Sequence, residues 1–243
     1  MNVALCAPAR VHAQTEVETT DSDEDIRTTD ANSDRVILFS TASTHPEGTF
    51  FFTDYEVILL QFGYAITDRL QVSLTGVPPM IKDQSYFFDL SAKYNVYRGP
   101  VFRAAAIGAL TVITEDSGEA FFGGRLGGVG QFCFSVACRA SISLNVIANI
   151  VADLDTVLPI ALGAGLSYRL SDLFAIQLEP AYFVAVGTQK LEVDAPDGML
   201  LSYGVRLSGR EWGLDLSMLR PIAEDVADEL ILGVPWISFT YRR

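Results

Sequence analysis

Histidine is nearly absent: of 243 residues, only His12 and His45 carry an imidazole. A hydrolase built on a serine or cysteine nucleophile needs a base beside it. With His12 near the N-terminus and His45 in an expected loop, a Ser-His pair within strands is excluded by inventory. Lys93, two residues from Ser91, is more simply a hydrogen-bonding residue than half of a catalytic dyad. Basic residues are also scarce, 17 Lys and Arg against 30 Asp and Glu, for a formal charge of −13. No basic stripe exists to neutralise phosphates, which argues against a nucleic-acid partner. Long apolar runs are missing too; the nearest to the 18 residues of a spanning helix is Ala104 to Ile113. Yet 49% of the chain is apolar and its mean hydropathy is positive. High hydropathy without a spanning helix points to strands in a membrane, where only helices and closed barrels satisfy every backbone group.

Motifs for cofactors are equally thin. The acids between Asp21 and Asp25 have the charge of a calcium loop without its glycine and distal glutamate. The glycines between Gly123 and Gly128 precede no helical pattern, and within a strand they permit bending or close backbone approach. No metal, no cofactor and no enzymatic activity are expected. Of three cysteines, Cys133 and Cys138 bracket four residues. They either bridge a hairpin turn, which requires an oxidising compartment, or are two buried thiols. Cys6 lies in residues 1–13, which end in Val11-His12-Ala13 and read as a residual signal peptide. Residues 14–34 hold eight acids and one base and read as a disordered tail.

What is present is a period of two. From Arg139 to Ile150, Ala140, Ile142, Leu144, Val146, Ala148 and Ile150 share one face. Ser141, Ser143, Asn145 and Asn149 share the other, and only Ile147 is out of place. Twelve residues is long for a soluble strand but suits a tilted strand crossing a bilayer. Strands are expected at 35–43, 49–66, 69–77, 85–97, 100–113, 120–133, 138–151, 157–170, 173–186, 199–208, 212–220 and 230–241. Their connections alternate between long and short, as between the outer loops and periplasmic turns of outer-membrane barrels. The polar faces hold Gly, Ala, Ser and Asn instead of dense Lys and Glu, so they face a lumen, while aromatics bunch near strand ends as membrane girdles do. Residues 35–243 are thus expected to form an all-β, antiparallel up-and-down transmembrane barrel of about twelve strands, ten or fourteen being the alternatives, with both termini periplasmic.

Part of the chain resembles a known family. Arg35, Thr41-Ala42, Gly48, Asp54-Tyr55 and the stretch Gly63 to Leu70, followed by Val72 and Leu74, are similar to a family of bacterial proteins predicted to be outer-membrane β-barrels. This resemblance covers about a fifth of the chain and implies a fold and a compartment but no activity. Leu230 to Tyr241 resembles the C-terminal strand that barrel-assembly machinery recognises, although Arg242-Arg243 replaces the terminal aromatic.

Function is expected to be passive: a narrow pore or small-solute binding barrel. A structural or adhesive surface barrel and a soluble lipid-binding barrel are the alternatives. If the polar faces point inward, Lys93, Arg103, Arg139, Arg169 and Arg206 form a basic ring near the short-turn end. Arg125 then sits at mid-depth, opposed by Asp89, Glu179 and Asp215. Such a ring favours small anionic solutes, unless the same residues pair and fill the lumen or the acidic tail enters and partly closes the ring. The acidic long connections make a crown that either keeps the surface solvated or shares divalent cations with lipopolysaccharide.

Overall fold

A computed structural model describes residues 30–78, 86–114, 120–135, 138–151, 157–187, 198–222 and 232–243. It is a closed antiparallel barrel of twelve strands: β1 (Phe50–Tyr55), β2 (Leu59–Thr67), β3 (Leu70–Gly76), β4 (Tyr86–Arg98), β5 (Phe102–Thr114), β6 (Ala120–Cys133), β7 (Ala140–Val151), β8 (Val157–Arg169), β9 (Phe174–Gly187), β10 (Gly198–Ser208), β11 (Trp212–Ile222) and β12 (Val234–Arg242). Each strand pairs with its neighbours in sequence, and β1 pairs with β12 to close the sheet. Closure leaves no strand edge unpaired, as a bilayer requires.

Alternation sorts the two faces. Leu90, Leu110, Leu126, Leu144 and Val146 are exposed on the outside, an apolar surface too extensive for water. Inside lie residues of the opposite parity, including Asp89, Lys93, Asn145, Gln177 and Ser217, all buried. Ile147 belongs to the inner face, where it packs against a buried cluster of Phe39, Ala161 and Ala181.

The strand total is as expected, but two strands are composed differently. The expected strand 35–43 is not in the wall. Residues 30–49 instead fill the barrel interior, with Ala31, Val36, Ile37, Phe39 and Ala42 buried there. The chain reverses within this segment, the Val36 amide donating to the Phe39 carbonyl at 2.9 Å. Its apolar residues mimic a strand because they pack against barrel wall instead of lipid. The expected strand 49–66 is in turn two strands, β1 and β2, joined at Glu56-Val57-Ile58. Glu56 and Val57 have φ of 56° and 65°. Neither residue type is usual in the left-handed region, so no turn signal is visible in sequence.

Glycines admit the inner segment. A Cβ on Gly163 would lie 2.9 Å from the Phe39 ring, and one on Gly165 would lie 2.5 Å from Val36. Gly163→Val is therefore expected to destabilise the folded barrel by about 1–3 kcal/mol through overpacking. Gly128→Ala, whose Cβ would meet nothing nearer than 3.7 Å, is expected to be neutral. Thermal unfolding of both variants in one detergent checks the contrast.

Candidate functional site: a plugged lumen

The inner segment is a plug held mainly by polar contacts. It occupies the short-turn end, where β1 begins and β12 ends. Arg206 of β10 donates to the carbonyls of Asn32, Arg35 and Val36 at 2.8, 3.0 and 2.5 Å, and pairs with Asp215 of β11 at 2.6 Å. Arg35 reaches the β1–β12 wall, donating to Thr53, Tyr55, Ser238 and Thr240 at 3.2, 3.2, 3.3 and 2.7 Å. Glu179 of β9 accepts the backbone amides of Ile37, Leu38 and Phe39 at 3.0, 2.8 and 3.1 Å, capping the plug tip. Asp30 is ion-paired to Arg169 at 2.5 Å. Asp34 accepts from Gln71 at 2.9 Å, and its carbonyl accepts from Lys93 at 2.9 Å. A charge in this interior is tolerated because it is paired and hydrogen-bonded.

The residues singled out in sequence divide accordingly. Lys93, Arg103, Arg169 and Arg206 do face the lumen, but they contact the plug, Arg103 through Ser43 at 3.2 Å. Arg139 does not join them. Cys138 turns with a φ of 47°, β7 begins only at Ala140, and Arg139 is exposed in the turn. Asp89 alone meets Arg125, at 2.9 Å, whereas Glu179 and Asp215 serve the plug. Cys133 and Cys138 form a disulfide across the β6–β7 turn, with Cα atoms 4.7 Å apart.

His45 is not in an outer loop. It is fully buried in the plug, its ring facing the Asp34 carboxylate at 3.7 Å, Arg242 at 3.5 Å and the Phe51 ring. None of these is a nucleophile. The connection Thr44 to Gly48, expected between strands 35–43 and 49–66 as part of the outer crown, accordingly leaves it, and the acids of the other long connections lie outside the described residues, as do residues 1–13 and the Asp21 to Asp25 cluster. Arg242 joins the plug contacts without having been among the expected lumen residues, and its signal is β12 parity: Phe239 and Tyr241 face out, so Arg242 faces in. Asp30, Asp34 and Arg35 carried no signal separating a plug from a tail or a strand.

Above the plug tip lies an open vestibule of about 280 Å³. A polar ladder runs along one wall, from Tyr55 to Gln61 (3.1 Å), Gln61 to Ser73 (3.2 Å) and Ser73 to Ser91 (2.8 Å). Arg125 and Asp89 stand on the far side of that ladder, and Leu38 and Phe39 form part of the floor.

The plug titrates with pH. Burial pushes the His45 ring down to about 4 against the pull of Asp34, and Arg242, Lys93 and Arg35 push it the same way. Between the ordinary value of 6.5 and about 4, the unfolded chain therefore binds a proton that the folded chain refuses. Stability falls as pH falls through that window. Burial raises Asp30 and Asp34, but facing cations outweigh it: Arg206 and Arg169 for Asp30, Lys93 and His45 for Asp34. Both carboxyls end below their ordinary 3.8, so their stabilisation is present above that value and lost beneath it. The thermal midpoint is expected to drop between pH 7 and 4, and His45→Asn should flatten the upper part of the decline while leaving the steep loss below pH 4. Arg206→Met, which removes the nearest cation of Asp215 and the donor to three plug carbonyls, is expected to cost about 3–5 kcal/mol, read by unfolding at neutral pH.

No protein-family model and no curated protein matches the sequence. Solved structures do. A KdgM porin in complex with disordered oligogalacturonate superposes with a TM-score of 0.52 at 10% identity, covering 80% of this chain and 95% of that one. LpxR from Salmonella typhimurium gives 0.41 at 11% identity, covering 80% and 98%. Omp33 from Acinetobacter baumannii gives 0.41 at 9%, covering 80% and 94%. At these identities the likeness concerns the fold. The chain has the fold of a bacterial outer-membrane β-barrel, filled at its short-turn end by its own residues 30–49.

Proposed function

We propose that the protein is a gated outer-membrane channel for small solutes, with the vestibule facing outward and the plug closing the path to the periplasm. The observation that carries this is the nature of the closure. A permanently filled barrel needs only wall side chains or apolar packing. Here the seal is a separate segment held by hydrogen bonds and ion pairs, which pH, ionic strength or a ligand can weaken. Asp30 and Arg243, the first and last described residues, lie at the short-turn end, the periplasmic end in barrels of this class. The Cys133–Cys138 disulfide suits that oxidising compartment. The likeness in fold to a KdgM porin supports conduction on this architecture.

The seated plug engages the basic wall residues. Withdrawing it exposes Lys93, Arg103, Arg169, Arg206 and Arg242 to the lumen beside the already accessible Arg125, against Asp89, Glu179 and Asp215, so the open state favours small anions. Outer-membrane lipid and lipopolysaccharide surround the barrel, and the assembly machinery engages β12.

In planar bilayers at pH 7 the full chain is expected to be closed or to open rarely, and a chain lacking residues 1–46 to conduct steadily. The reversal potential across a salt gradient should then show anion preference, reduced about severalfold by Arg103→Ser with Arg169→Ser as ring charges are removed. A truncated barrel that folds yet conducts nothing would contradict the channel and leave a structural barrel.

A further inference from the structure

The vestibule stands beside a notch in the barrel wall. Strands β4 to β11 have between 11 and 14 residues, but the contiguous β12, β1, β2 and β3 have 9, 6, 9 and 7. At about 3.4 Å per residue, β1 spans roughly 20 Å before any tilt, less than the roughly 25 Å apolar band of such barrels. In the orientation proposed above, its turn with β2 ends within the depth of the outer leaflet. The side chains agree: Val57 is 76% and Ile58 51% exposed, and the Glu56 carboxylate is turned away onto the Ile237 backbone amide.

The vestibule reaches this notch. Tyr55 and Leu59, which flank the turn, and Trp236 beside them all line it. Its interior is unusual for a lumen, which is ordinarily polar. Leu38 presents 38% of its surface from the plug tip, and Phe87, Ile107 and Ile147 complete an apolar wall. Two donors at the site have no acceptor among the described residues, the indole N–H of Trp236 and the Nε–H of Arg125. Arg125 is also accessible, its side chain 35% exposed, and its bond to Asp89 uses only one terminal nitrogen.

We propose that the vestibule binds a single-chain amphiphile with an anionic head, of the fatty-carboxylate class, which enters sideways from the outer leaflet over the low β1–β2 wall. The head crosses the vestibule to meet the Arg125 guanidinium on the opposite wall. The chain lies against Leu38, Phe87, Ile107 and Ile147. The Tyr55 and Trp236 rings, 5.9 Å apart, form the lip it crosses. This names a ligand class for the vestibule of the channel reading, but it needs only the cup above the seated plug and no conduction. Binding in a protein that never conducts would leave this inference standing and remove the other.

The chain has two tryptophans, Trp212 and Trp236, so Trp212→Phe leaves Trp236 as sole reporter. In lipid nanodiscs, this protein is titrated with a medium-chain fatty acid carrying bromine at its chain end, and Trp236 fluorescence is followed. Quenching is expected to saturate at one ligand per barrel. Arg125→Gln is expected to weaken binding by about tenfold, as loss of a charge-assisted contact does. Leu38→Asp should do so by a similar factor, and Ile147→Ser, on the wall instead of the plug, serves where Leu38→Asp lowers the unfolding midpoint. A brominated alkyl glycoside, uncharged at its head, should bind more weakly than the acid. Quenching that rises linearly without saturation and is equal in all variants would show bilayer partition alone and overturn the site. Saturable binding equal for acid and glycoside, and indifferent to Arg125→Gln, would overturn the anionic head.

Discussion

The structure depends on the compensation of buried charge between the plug and the wall. Arg206 stands at its centre, pairing with Asp215 and holding three plug carbonyls. An isolated guanidinium at that depth would be prohibitively costly, and so would the plug's unpaired backbone. Each solves the other's problem. The glycines of β8 give the plug room, and Glu179 ties down its tip where the chain reverses. The vestibule then exists because the plug turns back at Leu38 and Phe39, leaving a cavity of about 280 Å³ beside them.

This arrangement explains how one interior serves two different ends. The lower half is a dense polar lattice that responds to pH, because Asp30, Asp34 and His45 are held away from their ordinary values by burial and by neighbouring charges. The upper half mixes a hydroxyl-amide ladder with apolar side chains and one accessible arginine. A barrel of twelve strands lies between filled and channel-like widths, and here a filled end and a vestibule share one interior.

Much of the fold is legible in the sequence because its physics is local. A period of two with greasy residues on one parity defines both the strand and the side that meets lipid, and the alternation of short and long connections orders the strands. The plug is not legible in this way. Val36 to Phe39 is as apolar as a strand, and whether such a run faces lipid or glycines across a lumen is a tertiary fact. The break at Glu56 and Val57 is hidden for a related reason, since it uses none of the residues that announce a hairpin turn. The basic residues show their parity, which places them in the lumen, but not their partners: Lys93 and Arg206 look like an open ring until Asp30 and Asp34, apparently tail residues, are found inside it. Arg139 shows how parity misleads at a strand end, where one left-handed residue carries the side chain out of the barrel.

The central claim is that residues 30–49 are a seated plug inside the barrel. Hydrogen exchange of the Ile37, Leu38 and Phe39 amides in lipid at neutral pH tests it most directly, because these amides lie outside the sheet and owe their protection to Glu179. The account predicts strong protection at neutral pH, a protection factor (taken against intrinsic exchange at each pH) that declines as pH falls below about 6.5, and a lower protection factor at neutral pH in Glu179→Ala. Exchange at the rate of an unstructured chain at neutral pH, with the barrel strands protected, would contradict it.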